Sequence, residues 1–363
     1  MSRIGHPVRR LPVAALCLLA VVAAWDRAEA LTPDHELLRY HERFQRQSHN
    51  AYEHEWLRAL DNGVMNVEID IRNHNPYNGR QDWKVRHSAH GGDKNRCGGG
   101  NRSFAVCLRD LRAWHDAHPG HYPITIIIDK KDGWQNGKAR GPADFDARVS
   151  RELGAGNIFR PAELLRGFPN LRAAARAGAW PAITSLRGKF VLLMTPHENW
   201  AESRSKANDK AHDYVRARGG NALAFVCPRG HAREIAGRVA GFDSSTSRWV
   251  VCFNHKEDQI SGDGGYGDGR ALQQAGYILR VWSVDSSSKY QRAVVDSRAN
   301  FIAVDYPDSK GHYFGGRTEG GHVSTLLPAI LPTLRMGACA ATAAGCGRST
   351  RLAALIAALP AWP

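Results

Sequence analysis

Glu68 and Asp70 stand two residues apart in a run, 64–71 (VMNVEIDI), that reads as a β-strand. Both carboxylates therefore point to one face, and Val67, Ile69 and Ile71 to the other. Two acids held together on a covered face repel each other and lose hydration. A bound cation resolves both problems. Asp129 adds a third carboxylate at the C-terminal end of the apolar run 124–128. With the amide of Asn50 these acids form an all-oxygen set, and hard oxygen donors suit Ca²⁺ or Mg²⁺ better than zinc. Structural ion pairs with Arg72, Lys130 or Lys131 are the competing arrangement; they account for any one acid more readily than for all three. His49, just before Asn50, and His87, at the end of 83–87, flank the acids. The chain has 17 histidines, so place matters more than presence. An imidazole beside an acid pair at a strand end is suited to proton transfer near neutral pH. His90 follows in a loop and reads as a bystander.

The elements that must carry these residues alternate. Strand patterns fall at 64–71, 83–88, 123–129, 189–194, 222–226, 248–253, 277–284 and 300–305, after a first strand before Ser48. Helical patterns fall at 103–116, 143–153, 208–218, 232–239, 270–275 and 288–297. Apolar strands alternating with helices predict a parallel sheet covered on both faces. The strand count and length predict an α/β fold, a (β/α)₈ TIM-type barrel. It forms a single catalytic domain over 31–325, with room for distortion. Such barrels keep their chemistry at the C-terminal strand ends, where Asp129 and His87 fall. A doubly wound sheet is the alternative, but no GxGxxG follows an early strand. Gly-rich 262–269 lacks an EF-hand's acid spacing and reads as a loop.

Composition bounds the partners. The formal net charge is +14, from 49 Lys and Arg against 35 Asp and Glu. That excess favours anionic partners such as a phospholipid surface. Arg outnumbers Lys 38 to 11, a bias that a GC-rich genome produces unaided. The arginines are scattered without interleaved aromatics, which argues against nucleic acid. Residues 1–30 combine Arg3, Arg9 and Arg10, an apolar stretch and Ala28-Glu29-Ala30, and read as a secretory signal peptide cleaved after Ala30. Cleavage leaves a net charge of +12 and predicts a secreted or periplasmic protein. Cys97, Cys107, Cys227, Cys252, Cys339 and Cys346 remain, an even number that in an exported chain points to disulfides. Pairing in chain order closes three short loops, though the sequence leaves the connectivity open. No CxxC is present, which excludes a zinc site. The Ala-rich stretch 326–363 reads as a tail or terminal helix.

Taken together, Ser48-His49-Asn50-Ala51-Tyr52, Glu68-Ile69-Asp70, His87 and the strand ending Asp129-Lys130 resemble the barrel of calcium-dependent phosphoinositide-specific phospholipase C, in its secreted bacterial branch. The stretches 276–285 and 304–308 extend the resemblance over roughly 40–310. It implies that Asn50, Glu68, Asp70 and Asp129 bind Ca²⁺, and that phosphatidylinositol is the substrate, met at a membrane surface with no obligate protein partner. It further implies that Glu68 or Asp70 takes a proton from the attacking inositol 2-hydroxyl and that His49 donates to a phosphate oxygen. His87 would protonate the diacylglycerol oxygen and then activate water to open the cyclic inositol phosphate. Two departures stand out. Asp129 is shorter than the glutamate frequent in the family, and 190–195 lacks the lysines that grip ring phosphates in eukaryotic members. Arg280, Asp285 and Tyr306 lie at late strand ends, where they could contact inositol or hold loops. Lys131 could pair with the acids or meet phosphate. Glycerophosphodiester phosphodiesterases share such a barrel but carry His-Arg-Gly where this chain has His49-Asn50-Ala51, so they rank second. A catalytically silent lipid-binding barrel is the remaining alternative.

Overall fold

Eight parallel strands carry the architecture in the computed structural model, which describes residues 38–304 apart from 44, 51–56, 62–63, 74–81, 88–96, 98–101, 197–202, 232–233, 236 and 263–265. They are β1 (Gln45–Ser48), β2 (Asn66–Arg72), β4 (Ile124–Lys130), β5 (Phe190–Pro196), β6 (Ala224–Val226), β7 (Cys252–Lys256), β8 (Ile278–Trp282) and β9 (Phe301–Val304). Their order is β6-β5-β4-β2-β1-β9-β8-β7, and the short β3 (Lys84–Val85) pairs antiparallel with the end of β2. This is a (β/α)₈ barrel with one unladdered seam. Among the described residues β6 and β7 share no ladder. The Asn254 N–H donates to the Pro228 carbonyl across that gap (3.1 Å), and the Cys227–Cys252 disulfide ties the two sides covalently. A second disulfide joins Cys97 to Cys107 at the start of the helix Phe104–Ala117. Cys339 and Cys346 lie outside the described residues, as do residues 1–30 and 326–363. No helix among the described residues is long and apolar enough to cross a membrane.

Strand alternation sorts the side chains. Val67, Ile69 and Ile71 of β2 and Ile124, Ile126 and Ile128 of β4 are fully buried, in one core with Phe104, Leu108, Leu111, Phe145 and Val149 of the helices Phe104–Ala117 and Pro142–Val149. Burying each such side chain stabilises the fold by about 1.5–3 kcal/mol. The opposite face lines the barrel interior. Its N-terminal end is filled by Tyr40, whose hydroxyl meets Thr125 (2.7 Å), with the Arg43 guanidinium stacked over the Tyr40 and Phe301 rings. The β1–β2 ladder is sparse, and Asn66 reinforces it by accepting from the Ser48 N–H (2.9 Å) and donating to the Arg46 carbonyl (2.7 Å).

Four expectations need correction. The Gly-rich stretch 262–269, read as a loop, is helical at its described residues, which end the helix Glu257–Gly262 and begin the helix Tyr266–Gln274. The pattern at 83–88 yields only the two-residue β3, off the barrel path; Trp83 is apolar because it packs edge-on against Phe104 and Phe145. The strand expected at 248–253 is displaced to Cys252–Lys256, because polar Asn254 belongs to the barrel interior. The helix expected at 232–239 is absent among its described residues. There the Glu234 carboxylate accepts from the His231 and Ala240 backbone N–H groups (2.8 and 3.2 Å), bonds that compete with a helix.

Buried histidines predict acid sensitivity. His41 lies beside Trp180, and its Nδ1 is buried with no hydrogen-bond partner among the described residues. Burial, aided by Arg39, lowers its pKa from 6.5 to about 4. Burial also lowers those of His115 and His121, which share a 2.8 Å hydrogen bond. Between the folded and unfolded values the unfolded chain binds more protons, so this stability is complete above about pH 6.5 and declines toward pH 4. The contribution of His41 is on the order of 2–3 kcal/mol. Thermal scans should show the melting temperature falling across that window, less steeply in His41→Leu. A profile identical in the variant would remove His41 as a cause.

Candidate active site

β2 presents Glu68 and Asp70 to the barrel interior, both buried. The β2–β4 ladder sets Asp70 in register with Asp129, so the third acid arrives on the same face of the neighbouring strand. One oxygen from each of Glu68, Asp70 and Asp129 lies within 4.8 Å of the others. The turn after β1 brings His49 and Asn50 to this cluster. Asn50 adopts a left-handed conformation (φ 49°), which asparagine tolerates better than most residues, and its N–H donates to Glu68 Oε2 (3.2 Å). The His49 N–H donates to the Val304 carbonyl (3.1 Å), and its Nε2 lies 3.9 Å from Glu68 Oε2.

His87 approaches from the other side. Its Nδ1 is 2.8 Å from Asp70 Oδ2, and its side chain is 48% exposed, so the ring is anchored at one nitrogen and open to solvent. The backbone is held separately: Arg72 Nε and Nη2 donate to the His87 carbonyl (3.0 and 2.9 Å), while Arg72 Nη1 pairs with Asp132 (2.8 Å). Lys131 reaches in beside Asp129, with Nζ 2.5 Å from Asp129 Oδ2 and 3.0 Å from Asp70 Oδ2.

Arg280 crosses the interior from β8. It donates to Gln47 Oε1 (2.5 Å), Asn254 Oδ1 (2.7 Å) and Glu68 Oε1 (2.9 Å), and both it and Glu68 are about 3% exposed. Gln47 also donates to Glu68 Oε2 (3.3 Å). Sequence reasoning missed Gln47 and Asn254; a polar residue on the strand face that alternation turns inward is the signal that could have found them. Trp282 was also missed. It follows Arg280 by two residues on β8, and its buried indole N–H meets no acceptor among the described residues. Asp285 is exposed and paired with Lys289 (2.8 Å) rather than with the cluster. Tyr306 lies outside the described residues.

A family model described as phosphoinositide phospholipase C, Ca²⁺-dependent, matches residues 99–219, the part that carries Asp129 and Lys131. The calcium-dependent phosphoinositol-specific phospholipase C of a Gram-negative Pseudomonas species superposes with a TM-score of 0.66 at 27% identity, over 81% of this chain and 97% of that one. The chain is thus similar, in fold and over the matched residues, to calcium-dependent phosphoinositide phospholipases C. The phosphatidylinositol-specific phospholipase C of Streptomyces antibioticus is a second similar structure, with a TM-score of 0.61 and 26% identity over 78% of this chain and 99% of that one. No curated protein sequence matches the chain. The donor set fits a hard dication: three carboxylates converge, and Asp70 Oδ1 is buried without a donor among the described residues.

Proposed function

We propose that this phosphoric diester hydrolase is an exported, Ca²⁺-dependent phosphatidylinositol-specific phospholipase C, cleaving phosphatidylinositol to diacylglycerol and inositol phosphate through a cyclic inositol phosphate. What supports the reading most is the convergence of Glu68, Asp70 and Asp129 with an imidazole on either side, at the C-terminal end of the barrel strands. Asn50 and the three acids hold the cation. Bound Ca²⁺ would supply positive charge that acidifies the inositol 2-hydroxyl and stabilises the negative charge growing on phosphate.

The protein's own groups divide the proton transfers. Glu68 takes the 2-hydroxyl proton. His49, 3.9 Å from Glu68, donates to a non-bridging phosphate oxygen. Asp70 orients the His87 ring through Nδ1, so that Nε2 gives a proton to the diacylglycerol oxygen. The same atom then takes a proton from the water that opens the cyclic phosphate. On β5 the residue in register with Asp129 is Thr195, and the strand is buried throughout, so it offers no cation to a ring phosphate. That favours unphosphorylated phosphatidylinositol. Two disulfides suit an oxidising compartment outside the cytoplasm. The single catalytic domain spans 31–325, and the positive net charge draws it to anionic lipid.

The test is phosphorus NMR of phosphatidylinositol vesicles incubated with the full chain, in calcium or in chelator. A cyclic inositol phosphate signal that appears with calcium and vanishes with chelator is the expected result. Silence on phosphatidylinositol together with hydrolysis of glycerophosphodiesters would sink the assignment.

A further inference from the structure

Lys131 lies one residue beyond β4, and its N–H donates to the Ile71 carbonyl (3.0 Å), carrying the β2–β4 alignment past Asp129. Its ammonium is 2.5 Å from Asp129 Oδ2, 3.0 Å from Asp70 Oδ2 and 3.4 Å from His87 Nδ1, and the side chain is 3% exposed. The ammonium is thus a fixed cation among the carboxylates.

The charges around it can be counted. Glu68, Asp70 and Asp129 carry three negative charges, and Lys131 and Arg280 carry two positive ones. Arg72 and Asp132 cancel each other nearby. The two imidazoles apart, the centre has one net negative charge. A dication reverses this to one net positive charge, which a phosphodiester monoanion then neutralises. Without Lys131 the loaded centre would be neutral, and the diester would bring an unbalanced charge into a partly buried site.

We propose that Lys131 is a charge-setting positioning residue: by sharing Asp70 and Asp129 with the cation it loosens metal binding, and in return leaves the loaded site attractive to a phosphodiester. The inference rests on the calcium site proposed above. It assigns Lys131 opposite effects on two ligands, which a merely structural role would not produce.

Calorimetric titrations of the full chain test it, first with calcium chloride and then, at saturating calcium, with glycerophosphoinositol as a soluble monoanionic diester. Lys131→Met should bind calcium about tenfold or more tightly than the wild type, as expected for removing a cation a few ångströms away. Its calcium-loaded form should bind glycerophosphoinositol about tenfold more weakly, from the same loss of charge. Lys131→Arg should stay near the wild type for both ligands. Should the methionine variant fail to fold, Lys131→Gln gives the same comparison while keeping a hydrogen bond to the acids. Calcium binding that is unchanged or weaker in the neutral variants overturns the role of Lys131 while leaving the calcium site standing. Undiminished diester affinity overturns it equally. A wild-type chain that takes up no calcium overturns the site itself, and the inference with it.

Discussion

His87→Ala is expected to lower turnover of phosphatidylinositol by about 10²–10⁴-fold, the usual worth of a positioned acid–base group, with little change in stability. Stability should be spared because the His87 side chain is 48% exposed and buries little surface. Its backbone is held by Arg72 at the carbonyl, and that contact does not involve the ring. The loss should depend on the leaving group. An alkoxide leaves poorly without a proton, whereas p-nitrophenolate leaves readily without one. Parallel kinetics on phosphatidylinositol and on a p-nitrophenyl inositol phosphate would therefore separate the roles. A much smaller loss on the activated substrate supports proton donation by His87. Equal losses on both would show that His87 acts on substrate placement instead.

Arg280→Met is expected to cost about 3–5 kcal/mol of folding stability, because it leaves the Glu68 carboxylate buried without its counter-ion. The ion pair is 2.9 Å long with both partners about 3% exposed, so solvent screens it little. Gln47 and Asn254 lose a donor at the same time and add to the cost. Combining Arg280→Met with Glu68→Gln should recover part of the loss, since the uncompensated charge is then gone. Urea unfolding of the two single variants and the double variant, in chelator, measures this coupling. If the single losses simply add, the pair is not the reason Arg280 is there.

Local pattern made a good part of this protein legible. The two-residue spacing of Glu68 and Asp70 puts both acids on one face of any strand, and the apolar neighbours put that face inside. Apolar strands alternating with helices pointed to the barrel, and most strands fall within a few residues of where the pattern placed them. Misreadings came where side chains answer to something other than the ladder. Trp83 and Val85 look like a barrel strand, yet Trp83 is apolar to fill an aromatic cluster beneath a short antiparallel extension. Asn254 looks like loop, yet it lies inside the barrel as a partner for Arg280.

What the sequence determined by itself is the set of chemical groups and the faces they occupy, because strand and helix periods act over a few residues. Only the tertiary structure decided which groups meet. Register across β2 and β4 set Asp70 beside Asp129, and β3 delivered His87 to Asp70 from outside the barrel path. Closing the barrel brought Arg280 to Glu68 across 212 residues of chain. The choice of Arg280 as the counter-ion of Glu68, and of Lys131 as that of Asp70 and Asp129, follows from burial: charges inside the barrel must be matched by whatever the closed sheet places within reach.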